Sequence, residues 1–310
     1  MHQTDWQRFF DHPYVTDYQA LCDRIDRLAK QFPTVRTTTL GKSILGRDIH
    51  LLTLGTGTRK CLYVATHHAM EWITSWLLLR FTKDLCLSAQ RGTCLCGVSP
   101  AHVLQTHTLY ILPMLNPDGV EYQIHGVDPA NPLHERLLRM NGNSTDFSHW
   151  QANARGVDLN HNYNAGFSEY KQLEANMGIA DGAPTRYSGE APESEPETAA
   201  LCDFIRFTMP LDGMITLHTQ GEEIYYESGT RSHPRAVRIA RSLARSSGYK
   251  LSRATDAAAY GGLTDWSLQV LGVPSFTVEC GCGKNPLPIE HATSIYCRLR
   301  QALFLFPVLL

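Results

Sequence analysis

Four short apolar segments alternate with helical patterns, and this alternation limits the fold more than any other feature. The apolar segments have the length and composition of buried strands and lie at residues 61–66, 108–114, 213–217 and 274–278. Apolar residues at helical spacing recur at residues 13–32, 72–87, 194–207, 232–248 and 288–306. A hairpin is predicted at residues 35–40 and 48–54. Together these elements predict an α/β fold with a central, twisted, mixed but mostly parallel sheet between helices.

The size and composition of the chain are those of one globular domain. It contains 310 residues, of which 43% are hydrophobic and 19% are charged. We find no repeat, linker or low-complexity tract, and therefore predict a single α/β/α sandwich domain over residues 1–310. Two segments rich in Asn, Gly, Pro and Ser, at residues 126–154 and 165–193, are predicted to be loops that shape a functional site.

Charge and hydropathy argue against two classes of partner. The formal net charge is −2, so the chain lacks the basic excess that attracts proteins to nucleic acids. Its apolar runs are far shorter than the roughly 20 residues that span a bilayer. The first residues also lack the apolar stretch of a secretory signal. We therefore predict a cytoplasmic protein that binds neither nucleic acid nor membrane, and the oligomeric state stays open.

The number and spread of the cysteines also favour the cytoplasm. There are nine of them, an odd number spread along a chain that is large enough to fold without disulfides, which is typical of reduced thiols. The pairs Cys94/Cys96 and Cys280/Cys282 have no further ligands at zinc-finger spacing. We interpret both pairs as buried thiols.

A histidine and a glutamate follow the first buried strand, where a helix is about to begin. His68 and Glu71 are three residues apart, a spacing that lets an imidazole and a carboxylate on a tight turn bind one cation. Neighbouring residues at a strand end point to opposite faces, so only one of His67 and His68 is expected to reach such a site. Open α/β sheets bind ligands at this edge.

Two further strands end in residues of the same kind. His218 follows the strand at 213–217, and Glu279 follows the strand at 274–278. Two histidines and one carboxylate are a common ligand set of catalytic zinc, with a fourth position left for water. A carboxylate at the end of an apolar strand is costly to bury unless it is paired or functional. The three strand ends together predict a metal site.

Five segments resemble, in the same order, motifs of the zinc carboxypeptidases of the carboxypeptidase A type. They are His68–Trp72, Asn116–Gly119, Gly156–Asn160, Leu217–His218 and Asp265–Glu279. The resemblance implies a zinc metallopeptidase in which His68, Glu71 and His218 bind one Zn²⁺ per chain. It further implies that a zinc-activated water cleaves an amide bond, with Glu279 as general base and acid. Asp158 would orient His68.

The substrate-binding positions depart from that family. After Asn160, where the family has an arginine that clamps the substrate carboxylate, the chain has His161. The family's carbonyl-polarising arginine, seven residues before the aspartate of the same motif, corresponds here to Gln151. Arg155 could substitute for it or could be a surface arginine. Tyr260 lies close to, but not at, the place of the tyrosine that closes over substrate in the family.

A specialised branch resembles the chain more closely: the γ-D-glutamyl-meso-diaminopimelate peptidases, which cut bacterial cell-wall peptides. The similar segments are residues 150–160, 218–225 and 281–288. The substrate of that branch is a zwitterionic diamino acid. Glu222 and Glu223 could therefore meet an ammonium group that an ordinary carboxypeptidase pocket does not expect. The predicted substrate is a small murein peptide.

Three other functions stay open on the sequence. A carboxypeptidase for ordinary peptides would use His161 and Arg155 as an irregular carboxylate clamp. An amidohydrolase that removes acyl groups from amino acids would use the same metal ligands. A non-catalytic peptide-binding protein would account for Gln151, but it has no physical need for the predicted metal ligands and Glu279 together.

Overall fold

The computed structural model describes residues 12–229 and 231–310, apart from the side chains of residues 256 and 257. The N-terminal residues on which the prediction about an export signal rests lie outside this part. None of the helices in the described part combines the length and the apolar character that a membrane span requires.

Eight strands form one mixed sheet in the order β1-β2-β4-β3-β5-β8-β6-β7. Parallel pairings join β4 to β3, β3 to β5, β5 to β8 and β6 to β7. Antiparallel pairings join β1 to β2, β2 to β4 and β6 to β8. The strands are β1 (Arg36–Lys42), β2 (Asp48–Leu54), β3 (Arg59–Ala65), β4 (His107–Leu112), β5 (Gly213–His218), β6 (Glu223–Tyr225), β7 (Lys250–Ser252) and β8 (Ser275–Glu279). The predicted hairpin and the mixed, mostly parallel sheet are confirmed.

Helices cover both faces of this sheet. They are α1 (Tyr18–Gln31), α2 (Ile73–Arg91), α3 (Pro100–Thr106), α4 (Pro117–His125), α5 (His134–Met140), α6 (Phe167–Asn176), α7 (Pro196–Thr208), α8 (Ala236–Ser247), α9 (Leu263–Trp266) and α10 (Ala292–Leu309). Along β3, Cys61, Tyr63 and Ala65 join the apolar cluster of α1, α2, α8 and α10. Leu62 and Val64 join the opposite cluster, with α7 and α9. A strand segment covered on both faces is apolar at every position, as residues 61–65 of β3 are.

The two segments that the sequence predicts to be loops each contain a helix, so this part of the prediction is wrong. Helix α5 lies within residues 126–154, and α6 lies within residues 165–193. Only Leu137 is buried in α5, and only Tyr170 and Glu174 are buried in α6. Helices this short, with so few buried residues, have too little apolar periodicity to be recognised in the sequence.

The cysteines are free thiols, and none of the nine forms a disulfide. Cys280 is buried, but Cys94 and Cys282 are exposed and Cys96 is half-buried. The interpretation of both pairs as buried thiols is therefore wrong for three of the four residues, because they lie in surface turns between the elements. Among the described residues, no cysteine belongs to a group that could hold a metal ion.

The order of the sheet brings the ends of three parallel strands together. In the register of β3, β5 and β8, Ala65 pairs with Leu217, and His218 pairs with Glu279. Thr66 follows β3 with a φ of 55°, a left-handed conformation that costs a β-branched residue energy. Its hydroxyl lies 2.9 Å from Thr74 Oγ1 at the start of α2. This contact holds the sharp turn that carries the chain from the strand to His68.

Candidate metal centre

Three side chains converge at this edge of the sheet. His68 Nδ1 lies 2.9 Å from Glu71 Oε1, and His218 Nδ1 lies 3.0 Å from Glu71 Oε2. The two Nδ1 atoms are 3.3 Å apart. Two ring nitrogens this close repel each other if both present lone pairs or both present protons. One cation between two lone pairs and a carboxylate removes that repulsion, so the donor set fits zinc.

The second nitrogen of each ring has an acceptor of its own. His68 Nε2 lies 3.1 Å from Asp158 Oδ1, and His218 Nε2 lies 3.2 Å from Thr216 Oγ1. When Nε2 carries the proton and donates it to these oxygens, Nδ1 keeps a lone pair for a cation. Such acceptors fix both the tautomer and the orientation of metal-binding histidines.

Asp158 is held as a carboxylate by its surroundings. It is almost fully buried, and burial alone would raise its pKa, but His68 and His161 outweigh that effect and the pKa of Asp158 is lowered. The backbone nitrogens of Arg186 and Asn160 donate to its two oxygens at 3.0 and 3.2 Å. The charge that faces His68 is therefore stable.

His67 does not reach the ligand atoms. Its Nε2 lies 2.9 Å from the Tyr163 hydroxyl, and its Nδ1 lies 3.3 Å from Thr216 Oγ1. Burial, followed by the neighbouring His218, lowers the pKa of His67 well below its ordinary value. His67 is thus a neutral residue beneath the site, on the opposite side of the chain from His68.

Glu279 lies beside these ligands at the end of β8. Burial and the nearby carboxylate of Glu71 raise the pKa of Glu279 well above its ordinary value. His68 and Glu279 line the same cavity, whose volume is about 170 Å³. The arrangement places a carboxyl group that can hold a proton next to a site that can hold a cation.

The sequence profile of the zinc carboxypeptidases matches residues 21–301. The chain belongs to the zinc carboxypeptidase family. The chain is 34% identical over 290 residues to the gamma-D-glutamyl-L-diamino acid endopeptidase 1 of Lysinibacillus sphaericus. The alignment covers 94% of this chain and 71% of that protein. Family membership makes the chain a zinc-dependent metallopeptidase, a hydrolase whose substrates are peptides.

Solved structures show the same fold. Thrombin activatable fibrinolysis inhibitor superposes with a TM-score of 0.74 at 20% identity, over 97% of this chain and 75% of that chain. The murein-tripeptide amidase MpaA of Escherichia coli O157 superposes with a TM-score of 0.54 at 21% identity, over 86% of this chain and 91% of that chain. The predicted zinc carboxypeptidase-like α/β/α sandwich is confirmed.

Asn160 and His161 line the cavity beside the metal centre. Asn160 Oδ1 accepts a hydrogen bond from the backbone nitrogen of Leu263 at 3.2 Å. The ring of His161 stacks on Tyr170 with centroids 4.0 Å apart, and its Nδ1 donates to the carbonyl of Tyr260 at 2.8 Å. Burial lowers the pKa of His161, although Asp158 opposes the change. A neutral imidazole cannot form the bidentate, charged clamp of an arginine.

Glu222 and Glu223 are separated by the structure. The carboxylate of Glu222 forms an ion pair with Arg298 of α10, outside the cavity. Glu223 pairs with Glu279 in the sheet, and its Oε2 accepts a hydrogen bond from the Tyr225 hydroxyl at 2.7 Å. Glu222 precedes β6 and has a φ of 55°, so strand alternation does not set the direction of its side chain, and its carboxylate lies at Arg298 and not among the residues that line the cavity. The structure therefore does not place Glu222 where the sequence predicts it.

Arg155 does not reach the cavity either. Its Nη1 lies 3.8 Å from Glu195 Oε2, and its side chain is exposed in a separate surface depression. Gln151 is closer to the metal ligands, because its Nε2 lies 3.9 Å from the sulphur of Met70. Its Oε1 accepts a hydrogen bond from Thr185. Of the two residues considered for carbonyl polarisation, only Gln151 lies next to the metal centre.

Among the described residues, Tyr260 contacts those of the cavity through its backbone carbonyl and not through its hydroxyl. Its carbonyl oxygen holds His161, while its ring packs against Gly166, where any added Cβ would lie 2.6 Å from the ring. The side chain therefore supports the wall of the cavity from behind and does not line it.

Three polar residues near the site are absent from the candidates that the sequence provides. Thr216 lies two residues before His218, and alternation along β5 could have revealed that both face the same side. Glu227 continues the same alternation from Glu223 and lines the cavity. Asp265 lies in a recognised motif, yet its burial in the cavity wall depends on the packing of α9.

Proposed function

We propose that this zinc metallopeptidase hydrolyses the amide bond between γ-D-glutamate and meso-diaminopimelate in murein peptides. The observation that carries the proposal is the charge of the cavity beside His68. Two carboxylates, those of Glu227 and Asp265, line it beside Glu279, and none of its described lining residues is lysine or arginine. Such a cavity favours a leaving residue that carries an ammonium group. The relative whose name specifies a γ-D-glutamyl-diamino acid substrate supports the same choice.

Each residue of the metal centre has a role in this reaction. His68, Glu71 and His218 hold one Zn²⁺ per chain, and Asp158 orients the ring of His68. A bound zinc ion supplies a Lewis acid that polarises the scissile carbonyl and makes a water molecule more acidic. Glu279 takes the proton from the attacking water and transfers it to the leaving nitrogen. Gln151, whose Nε2 lies 3.9 Å from the sulphur of Met70 between the ligands His68 and Glu71, donates to the developing negative charge.

We also propose that residues 1–310 form one peptidase domain. Both large apolar clusters pack on opposite faces of the same sheet, so neither cluster forms a core without it.

The test uses zinc-loaded protein and the tripeptide L-Ala-γ-D-Glu-meso-diaminopimelate, with free diaminopimelate followed by chromatography. The wild type is expected to release it. The Glu279→Gln variant should keep its zinc and lose roughly 10²- to 10⁴-fold in rate, because general acid–base catalysis contributes about that much. Cleavage of ordinary C-terminal peptides or acylated amino acids without release of diaminopimelate would overturn the substrate. An unchanged rate in Glu279→Gln would overturn the role of Glu279.

A further inference from the structure

An ion pair borders the cavity beside the metal centre. Glu227 lines the cavity, and its Oε2 lies 2.7 Å from Nε of Arg253. The side chain of Glu227 is 13% exposed, and that of Arg253 is 75% exposed. Ala254, the neighbour of Arg253, also lines the cavity. An acid on the cavity wall and a cation on the solvent side thus meet at the same rim.

Both side chains of this ion pair have hydrogen-bonding positions that the contact between them does not use. A carboxylate offers about four acceptor positions and a guanidinium group offers five N–H donors, whereas the contact at Nε uses one of each. An ion pair with an exposed partner contributes little stability, so a ligand can share or rearrange it at low cost. The rim therefore presents one negative and one positive group, side by side.

A second acid strengthens the negative side. Asp265 is 5% exposed and lines the same cavity. Its Oδ1 accepts a hydrogen bond from the Ser228 hydroxyl, and its Oδ2 accepts one from the backbone nitrogen of Gly262 at 3.1 Å. Both donors are neutral, so they stabilise the carboxylate of Asp265 without supplying an opposite charge. A cationic group in the cavity would be attracted to it as well as to Glu227.

The leaving residue of the proposed reaction has matching charges. The distal end of meso-diaminopimelate is itself an amino acid, with an ammonium and a carboxylate on one carbon. A lone acid would suit lysine equally well, but an acid in contact with an arginine matches both groups. We propose that Glu227 binds the distal ammonium and Arg253 binds the distal carboxylate of the leaving diamino acid. This inference rests on the proposed function and names the residues that select its substrate.

The experiment compares four γ-D-glutamyl peptides that differ only in the leaving residue. Diaminopimelate carries both distal charges, lysine only the ammonium, 2-aminopimelate only the carboxylate, and norleucine neither. Glu227→Gln should lower kcat/KM roughly 10- to 100-fold for diaminopimelate and lysine, as for a lost hydrogen bond to a charged group. Arg253→Gln should lower it for diaminopimelate and 2-aminopimelate. Neither variant should lower it for norleucine.

Two controls separate specificity from folding. Glu222→Gln removes the same charge outside the cavity, where Glu222 pairs with Arg298, and should leave the four ratios unchanged. Glu227→Asp keeps the charge and should retain part of the preference for ammonium-bearing residues. Equal losses for all four leaving residues in Glu227→Gln or Arg253→Gln would overturn the inference alone. Failure of the wild type to cleave any of the four would overturn the proposed function as well.

Discussion

Asp158 Oδ1 contacts both the candidate metal ligand His68 and the turn at Asn160 that follows Asp158 in the chain. The same oxygen lies 3.1 Å from His68 Nε2 and 3.2 Å from the backbone nitrogen of Asn160. One residue therefore connects the orientation of the His68 ring to the wall of the cavity. A neutral side chain of the same shape would keep the turn and weaken the hold on the ring.

Asp158→Asn is expected to lower the affinity for zinc roughly 10- to 100-fold, the usual effect of losing such a partner of a metal-binding histidine. Titration against a chromophoric chelator measures the change. Asp203→Asn is the matched control, since Asp203 is 79% exposed and pairs with Arg206 on the surface. An unchanged zinc affinity in Asp158→Asn would contradict the role of Asp158.

At the level of single residues, the sequence correctly predicts the position of site residues that lie at the ends of strands. His218 and Glu279 are last residues of neighbouring strands, so their proximity follows from strand order. Glu222 and Glu223 could not be distinguished in the same way. Glu222 has a φ of 55°, and a left-handed residue in a turn directs its side chain in a way that spacing does not reveal.

At the level of elements, the first turn of α7 buries a carboxyl group against two neighbouring segments. Glu197 is fully buried, and its oxygens lie 3.4 Å from the backbone nitrogen of Ile44 and 3.3 Å from Asn153 Nδ2. Burial, together with the carboxylates of Asp118 and Glu195, raises the pKa of Glu197 to about 8. The sequence predicts a helix here, but its pattern contains nothing that identifies Glu197 as buried.

This raised pKa predicts how stability depends on pH. In the unfolded chain Glu197 has its ordinary pKa of about 4.5, whereas in the folded protein it keeps its proton up to about pH 8. The unfolded state therefore binds fewer protons in this window, and the free energy of unfolding falls as pH rises from 4.5 to 8. Glu197→Gln removes this contribution, which is on the order of a few kcal/mol.

Urea unfolding on both sides of that window measures the effect. The free energy of unfolding of Glu197→Gln, relative to that of the wild type, should increase from the acidic to the basic end of this pH range. Glu190→Gln, at an exposed position, controls for the loss of a carboxylate. Parallel pH curves for Glu197→Gln and the wild type would contradict the prediction.

At the level of the whole molecule, the sequence predicts the sheet better than its surroundings. Residues 61–65 of β3 are apolar without interruption, and residues 213–217 of β5 are interrupted only by Thr216. Apolar runs of this kind make a buried parallel strand recognisable. Helices α5 and α6 could not be recognised, because each buries very few residues. The contact between Glu227 and Arg253 could not be predicted either, since it depends on how two irregular segments approach the same rim.

The metal centre also connects distant parts of the chain. His218 lies 147 residues from Glu71, so the unfolded chain cannot hold the three ligands together, and zinc binds mainly the folded protein. At a free zinc concentration of 100 times Kd, this preference contributes about 2.7 kcal/mol, or roughly 4 °C in Tm for a chain of this length. We expect a chelator to lower the Tm of the zinc-loaded wild type by that amount in differential scanning calorimetry.

His218→Ala serves as the control for this measurement. It removes one of the three ligands and should melt at the same temperature with and without chelator. A second group of residues on the surface, Asp17, Glu121 and His125, has atoms close enough to hold a cation, and it stays intact in this variant. If the chelator lowered the Tm of His218→Ala as much as that of the wild type, the stabilising metal would lie outside the His68–Glu71–His218 centre.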